Sequence, residues 1–203
     1  MPPPASAAAA AISGTAIAAD ALKYVGRGYV FGGTAASPGD WDCSSFVSYG
    51  LGHDLHLPLP GGNWGGPGDP PNAHGPVVND YASWPDTQPV PDGQEAAGDL
   101  VCWVGAGASG HIGIVTRPGH MVSALNPQLG TLASPIQGYG PTNTWQFRRL
   151  TNVTPGQAVT TAAASGPSSI LAALLAGLLI PAAAAGIILA AAAAAGLAIA
   201  IGK

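Results

Sequence analysis

The sequence predicts an α+β domain. Helical spacing marks the first quarter of the chain, strand patterns fill residues 99–150, and a Gly/Pro-rich stretch lies between them. At 203 residues there is room for one ordinary domain and accessory segments. The first helix is expected over Thr15–Val25, where Ile17, Ala21, Tyr24 and Val25 keep helical spacing and Gly26 suits a stop. A second is expected over Cys43–Leu51. Asp42 stands where a cap belongs, and Cys43, Phe46, Val47 and Gly50 fall on one face. Residues 53–98 read as irregular apart from a short helix near Val77–Trp84; so long a loop in a compact domain is often a binding wall or lid. Asp99–Val104, His111–Thr116 and Met121–Leu125 read as strands apolar on both faces and therefore central in a sheet, with Trp145–Leu150 a weaker fourth.

Around this domain, residues 1–14 read as a flexible leader, 151–167 as a linker and 168–203 as a hydrophobic tail. Ile170–Gly202 carries no polar side chain. As one helix it would be about 50 Å long against a hydrocarbon core of about 30 Å, and Pro181 divides it. Membrane insertion through 170–202 is the expectation; burial of an alanine-rich helix in an assembly, or a disordered tail, is the alternative. The opening Met-Pro-Pro-Pro lacks the basic start of a secretory signal. A net charge of −4 leaves no basic footprint, so nucleic acid is not an expected partner. Two cysteines make no disulfide framework, although one Cys43–Cys102 bridge stays open.

The chemistry concentrates on Cys43 and His111. A thiol becomes a strong nucleophile when ionised, and a helix N-terminus favours thiolate through its partial positive charge and free N–H groups. Cys43 sits at such a predicted helix start. Histidine titrates in the range a base needs. His111 opens a strand after a Gly-Ala-Gly-Ala-Ser-Gly loop, and Gly113, next on its face, leaves room for the cysteine helix or a substrate backbone. The backbone N–H groups of Cys43 and Ser44 are candidate oxyanion donors. Cys102 lies mid-strand and reads as core. His53, His56 and His74 read as solvated loop histidines; none has convincing zinc spacing, and no metal or cofactor is expected.

Four segments in order, Tyr29-Val30-Phe31-Gly32-Gly33, Asp42-Cys43-Ser44-Ser45-Phe46-Val47, Gly98-Asp99-Leu100-Val101 and His111-Ile112-Gly113-Ile114-Val115, resemble the NlpC family of papain-like cell-wall cysteine peptidases. The resemblance implies a papain-like fold with helices packed on an antiparallel sheet, and hydrolysis of peptidoglycan stem peptides at the bond between D-glutamate and the diamino acid. It gives Tyr29 a place beside the catalytic cysteine. It puts the third catalytic position twelve residues after the histidine, at Ser123, where the family more often has His, Asn or Gln. A tight turn at Pro118-Gly119 would instead bring Asn126 opposite His111; a bulge or odd-length loop would return Ser123 to that face. Both stay open. A peptidase needs a wall to cut, so the cell envelope or a phage particle is the expected location, the latter with the tail entering a host membrane. The competing readings are a phage tail or membrane-insertion component using this domain to dock, and an amidase or acyltransferase on the same fold.

Overall fold

Six strands form one antiparallel sheet in the order β1-β6-β2-β3-β4-β5. The strands are β1 (Thr87–Val90), β2 (Leu100–Trp103), β3 (His111–Arg117), β4 (His120–Asn126), β5 (Gly130–Pro135) and β6 (Trp145–Leu150). The structure is a computed structural model and describes residues 12–36, 39–62, 74–105, 110–137 and 145–160. Three helices accompany the sheet: α1 (Gly14–Leu22), α2 (Cys43–Ser48) and α3 (Val78–Ala82). This is the α+β architecture that the sequence predicts, with β2, β3 and β4 inside the sheet.

The helices pack on one face of the sheet. Ile17 and Ala21 from α1 and Phe46 and Val47 from α2 bury against Leu100, Cys102, Ile112, Ile114 and Val122. A second cluster buries Val90, Val101, Trp103, Val115, Met121, Ile136 and Phe147 together on the opposite face. Each of these large side chains contributes about 1.5–3 kcal/mol by leaving water. The two layers therefore hold the start of α2 against the start of β3, and that junction positions the site.

α2 begins where the sequence places it, because Asp42 builds a capping box. Its Oδ1 accepts the N–H groups of Ser44 and Ser45 at 3.0 Å, and its own N–H donates to the Ser45 hydroxyl at 2.9 Å. The helix continues as a π-helical turn over Tyr49–Asp54, which follows the regular helix directly.

Several expectations need correction. α1 stops at Leu22 rather than Val25, and residues 23–26 form turns. β1 lies inside the stretch read as irregular, and β5 was not foreseen. Beyond Leu150, in the stretch read as linker, the chain keeps contact with the domain. Thr154 bridges Ser13, Gly156 bridges Ala97, and the Val159 N–H donates to the Thr116 carbonyl at 2.8 Å. Likewise the leader does not reach 14, because Ser13 caps α1 by accepting the Ala16 N–H at 3.2 Å. Cys43 and Cys102 are both free thiols, so no bridge joins them. Residues 1–11, the remainder of the linker and the tail at 168–203 lie outside the described residues. Among the described residues no helix is long and apolar enough to cross a membrane.

Candidate active site

Cys43 is the first residue of α2, and His111 is the first of β3. Both line a single cleft of about 310 Å3 together with Tyr29, Phe31, His74 and Leu125. A larger groove of about 530 Å3 runs past Pro60, Gly75, Asp80 and Trp84. It presents neither cysteine nor histidine, so chemistry rather than volume selects the smaller cleft.

Burial, helped by the negative charge of Asp42, pushes the Cys43 thiol up to about 12. The backbone N–H groups of Ile112, Ser44 and Cys43 itself act in the opposite direction, offering hydrogen bonds to a thiolate. Burial pushes His111 down to about 4, against a smaller opposing pull from Asp42. At rest the pair is therefore a thiol beside a neutral imidazole. Moving one proton from sulfur to nitrogen creates two opposite charges together, and their attraction in the cleft offsets part of what burial costs each.

The hydrogen-bond inventory of Ser123 fixes the imidazole. Its hydroxyl has one proton, which it donates to the Ile112 carbonyl at 2.6 Å. Towards His111 Nε2, 2.9 Å away, the hydroxyl can only accept. His111 thus carries its proton on Nε2, and Nδ1 is the basic nitrogen. A bulge puts Ser123 in reach. The Pro118-Gly119 turn is the two-residue kind, with Arg117 paired to His120, but the register shifts between Val115 and Arg117. The pairs Ile114–Val122 and Val115–Met121 then set Ser123 opposite Gly113 on the face of His111.

Asn126, the alternative for this position, is engaged elsewhere: its Oδ1 accepts the N–H groups of Gln128 and Leu129 at 3.0 and 2.9 Å and caps the turn into β5. Gly113 also differs from expectation. A Cβ there would lie 2.6 Å from Met121 Sδ and 3.2 Å from Ser123 Cβ, so the missing side chain makes room for β4 rather than for the cysteine helix or a substrate.

Tyr29 lines the cleft, and burial with the nearby Cys43 and Asp42 pushes its phenol up to about 12, so it remains a hydroxyl donor. The Ser44 N–H donates to Asp42 Oδ1 at 3.0 Å as well as offering a bond to the Cys43 sulfur, so it is shared between the cap and the site. Cys102 is fully buried in the core facing the helices, as its position in the strand suggests.

The loop histidines are not uniformly solvated. His74 Nε2 lies 2.7 Å from Asp42 Oδ2, inside the cleft. Its pairing raises the His74 pKa and lowers that of Asp42. His53 stacks on Tyr49 with ring centres 4.4 Å apart and bonds Asp54 at 2.7 Å. His53 and His56 are both exposed, as expected. His74 escaped sequence reasoning because nothing in a Gly/Pro-rich segment signals a contact with a residue thirty-two positions earlier. Among the described residues no group of three His, Cys, Asp or Glu side chains could hold a metal ion.

Comparison with known proteins agrees in extent with this domain. The sequence signature of the NlpC/P60 family matches residues 26–149, more than half of the chain. Protein P54 of Enterococcus faecium is 31% identical over 130 residues, covering 64% of this chain. The match spans only 22% of that protein's own length. Among solved structures, the NlpC/p60 domain of the peptidoglycan hydrolase SagA is 26% identical with a TM-score of 0.48, over 68% of this chain and 97% of that one. The peptidoglycan hydrolase RipB of Mycobacterium tuberculosis is 19% identical with a TM-score of 0.47, over 68% of this chain and 64% of that one. With the family signature running from the turn after α1 to the penultimate residue of β6, this chain belongs to the NlpC/P60 family.

Proposed function

We propose that the chain is a cysteine peptidase that hydrolyses the stem peptides of peptidoglycan, with Cys43 as nucleophile and His111 as general base. The observation that carries this reading is the cleft in which a cysteine at a helix start and a neutral histidine at a strand start come together, the histidine held in one tautomer by Ser123. Membership of the NlpC/P60 family supports the substrate class.

In the first half-reaction, Cys43 Sγ attacks the amide carbonyl carbon while its proton passes to His111 Nδ1. The carbonyl electron pair moves onto oxygen, and the Cys43 N–H, with the Tyr29 hydroxyl at the cleft, stabilises that charge. The C–N bond then breaks, and His111 returns the proton to the leaving amine. In the second half, water gives a proton to His111 and attacks the thioester. The C–S bond breaks and Cys43 recovers its proton. Ser123 holds the Nε2–H throughout as the third group of the site. The bond between D-glutamate and the diamino acid is the proposed target, which places the substrate in the cell envelope.

The test is digestion of purified peptidoglycan by the whole chain, with Cys43→Ala as control and mass spectrometry of the released fragments. The expected product carries a newly freed amine on the diamino acid. No release above the control overturns the reading, and a freed amine elsewhere in the stem moves the target bond.

A further inference from the structure

Asp42 holds a buried negative charge next to the residue that must become a thiolate. Asp42 is 8% exposed, and its Oδ1 alone accepts two backbone N–H groups and the Ser44 hydroxyl, each at 3.0 Å. A carboxylate is not required for that task, since asparagine and serine cap helices comparably well. Its charge opposes ionisation of Cys43. Oδ2, however, faces the cleft and meets His74 Nε2 at 2.7 Å.

We propose that His74 is a positioning residue that sets the charge beside the nucleophile: when protonated it neutralises Asp42 and so lowers the barrier to forming the Cys43 thiolate. The proposal rests on the reading of Cys43 as nucleophile. The titratable groups that share the cleft with His74 are Asp42 and Cys43 at the start of α2, Tyr29 in the preceding loop and His111 on β3. Tyr29 is raised to about 12 and His111 lowered to about 4, so neither changes charge between pH 5 and pH 9. Within that window His74 is the neighbour whose protonation alters the field at the sulfur. Its pairing with Asp42, reinforced by the backbone of Gly75, raises its pKa, so its charged form persists to higher pH than that of a free imidazole. The consequence is a nucleophile whose readiness depends on a residue that never touches the reacting atoms. The compensation is present below the pKa of His74 and lost above it.

The experiment is the pH dependence of Cys43 alkylation by iodoacetamide in the full chain, followed on the Cys43 peptide by mass spectrometry. Buried Cys102 serves as internal control. His74→Gln keeps a hydrogen-bond donor but no charge. It is expected to slow alkylation about five- to tenfold at pH 6 and to converge on the unaltered protein at pH 9. Asp42→Asn keeps the cap and removes the charge. It is expected to speed alkylation at pH 9 and to change it little at pH 6, and His74→Gln added to it should have no further effect. A His74→Gln profile lowered by one factor at every pH, or unchanged, overturns the proposal. So does an Asp42→Asn protein with no gain at pH 9, which decides the matter if His74→Gln does not fold. Peptidoglycan digestion is run in parallel. Failure to release fragments, with the alkylation split intact, removes the peptidase reading alone.

Discussion

Two histidines share the cleft, and their surroundings send them in opposite directions. His111 opens β3 with its ring 5.5 Å from that of Trp103 and a neutral hydroxyl on Nε2. Burial keeps it uncharged. His74 arrives on an irregular segment and meets a carboxylate, which raises its pKa and favours its charged form. On the proposed mechanism the same side chain thus serves as a proton acceptor in one place and as a counter-ion in the other. The partner, not the residue type, decides which.

The comparison breaks most visibly at His111. His111→Gln removes the base and is expected to lower kcat/KM for peptidoglycan by about 10³–10⁴-fold, whereas His74→Gln should leave substantial hydrolysis. Comparable loss from both variants would mean that the two histidines are not divided in this way.

Stability against pH should separate them next. The folded pKa of His111 lies below the unfolded value, so the unfolded chain binds more protons between about pH 6.5 and 4. Stability is therefore expected to fall on the order of 2–3 kcal/mol as pH drops through that window, and His111→Gln should flatten the fall in a urea-denaturation series. His74 works with the other sign: its folded pKa is raised, so its contribution is present below the unfolded pKa of about 6.5 and is lost as pH rises through the folded value. His74→Gln should remove that alkaline decline and leave the fall assigned to His111, while shrinking the further acid loss that comes from the depressed Asp42 carboxyl.

Ser123→Ala is the third test. It leaves the His111 Nε2–H without its acceptor, which costs about 1–3 kcal/mol, or roughly ten- to a hundredfold in kcat/KM, with a smaller change in KM. The smallest expected effect is that of Asn126→Ala. It removes a turn cap, should destabilise by about 1 kcal/mol, and should leave kcat/KM within about twofold. If Asn126→Ala were the more damaging of the two for hydrolysis, the third role would pass to it.

What the sequence could disclose follows from where each element sits. The strands doubly apolar in sequence, β2, β3 and β4, are interior strands packed on both faces. The unforeseen strands are the two edges. β1, Thr-Gln-Pro-Val, carries Pro89 and β5 ends at Pro135. Edge strands bury less and can leave one side of the backbone unpaired, so they tolerate proline and weak alternation and leave little pattern to read. At the site, Asp42 and Cys43 were legible because capping is a local matter. Which of Ser123 and Asn126 stands beside His111 was not, because it turned on one bulge between Val115 and Arg117. The contact of His74 with Asp42 had no local signal at all.

The meeting of Ser13, Ala97 and Gly156 bears on how this unit travels as a module. A Cβ on Gly14 would fall 2.0 Å from the Ala97 oxygen, one on Gly98 2.3 Å from the Gly14 Cα, and one on Gly156 2.3 Å from the Thr15 nitrogen, so three backbones cross where only glycine fits. Gly14 donates to the Thr154 carbonyl and Gln157 to the Thr15 hydroxyl, each at 2.8 Å, and these bonds fasten the crossing. The entry and exit of the domain are thereby buckled to each other beside the loop that leads into β2. Trimming the chain at the last residue of the sheet would unfasten that buckle and strip Ser13 and Ala97 of their partners, so a portable version of this domain has to carry the strap through Val159.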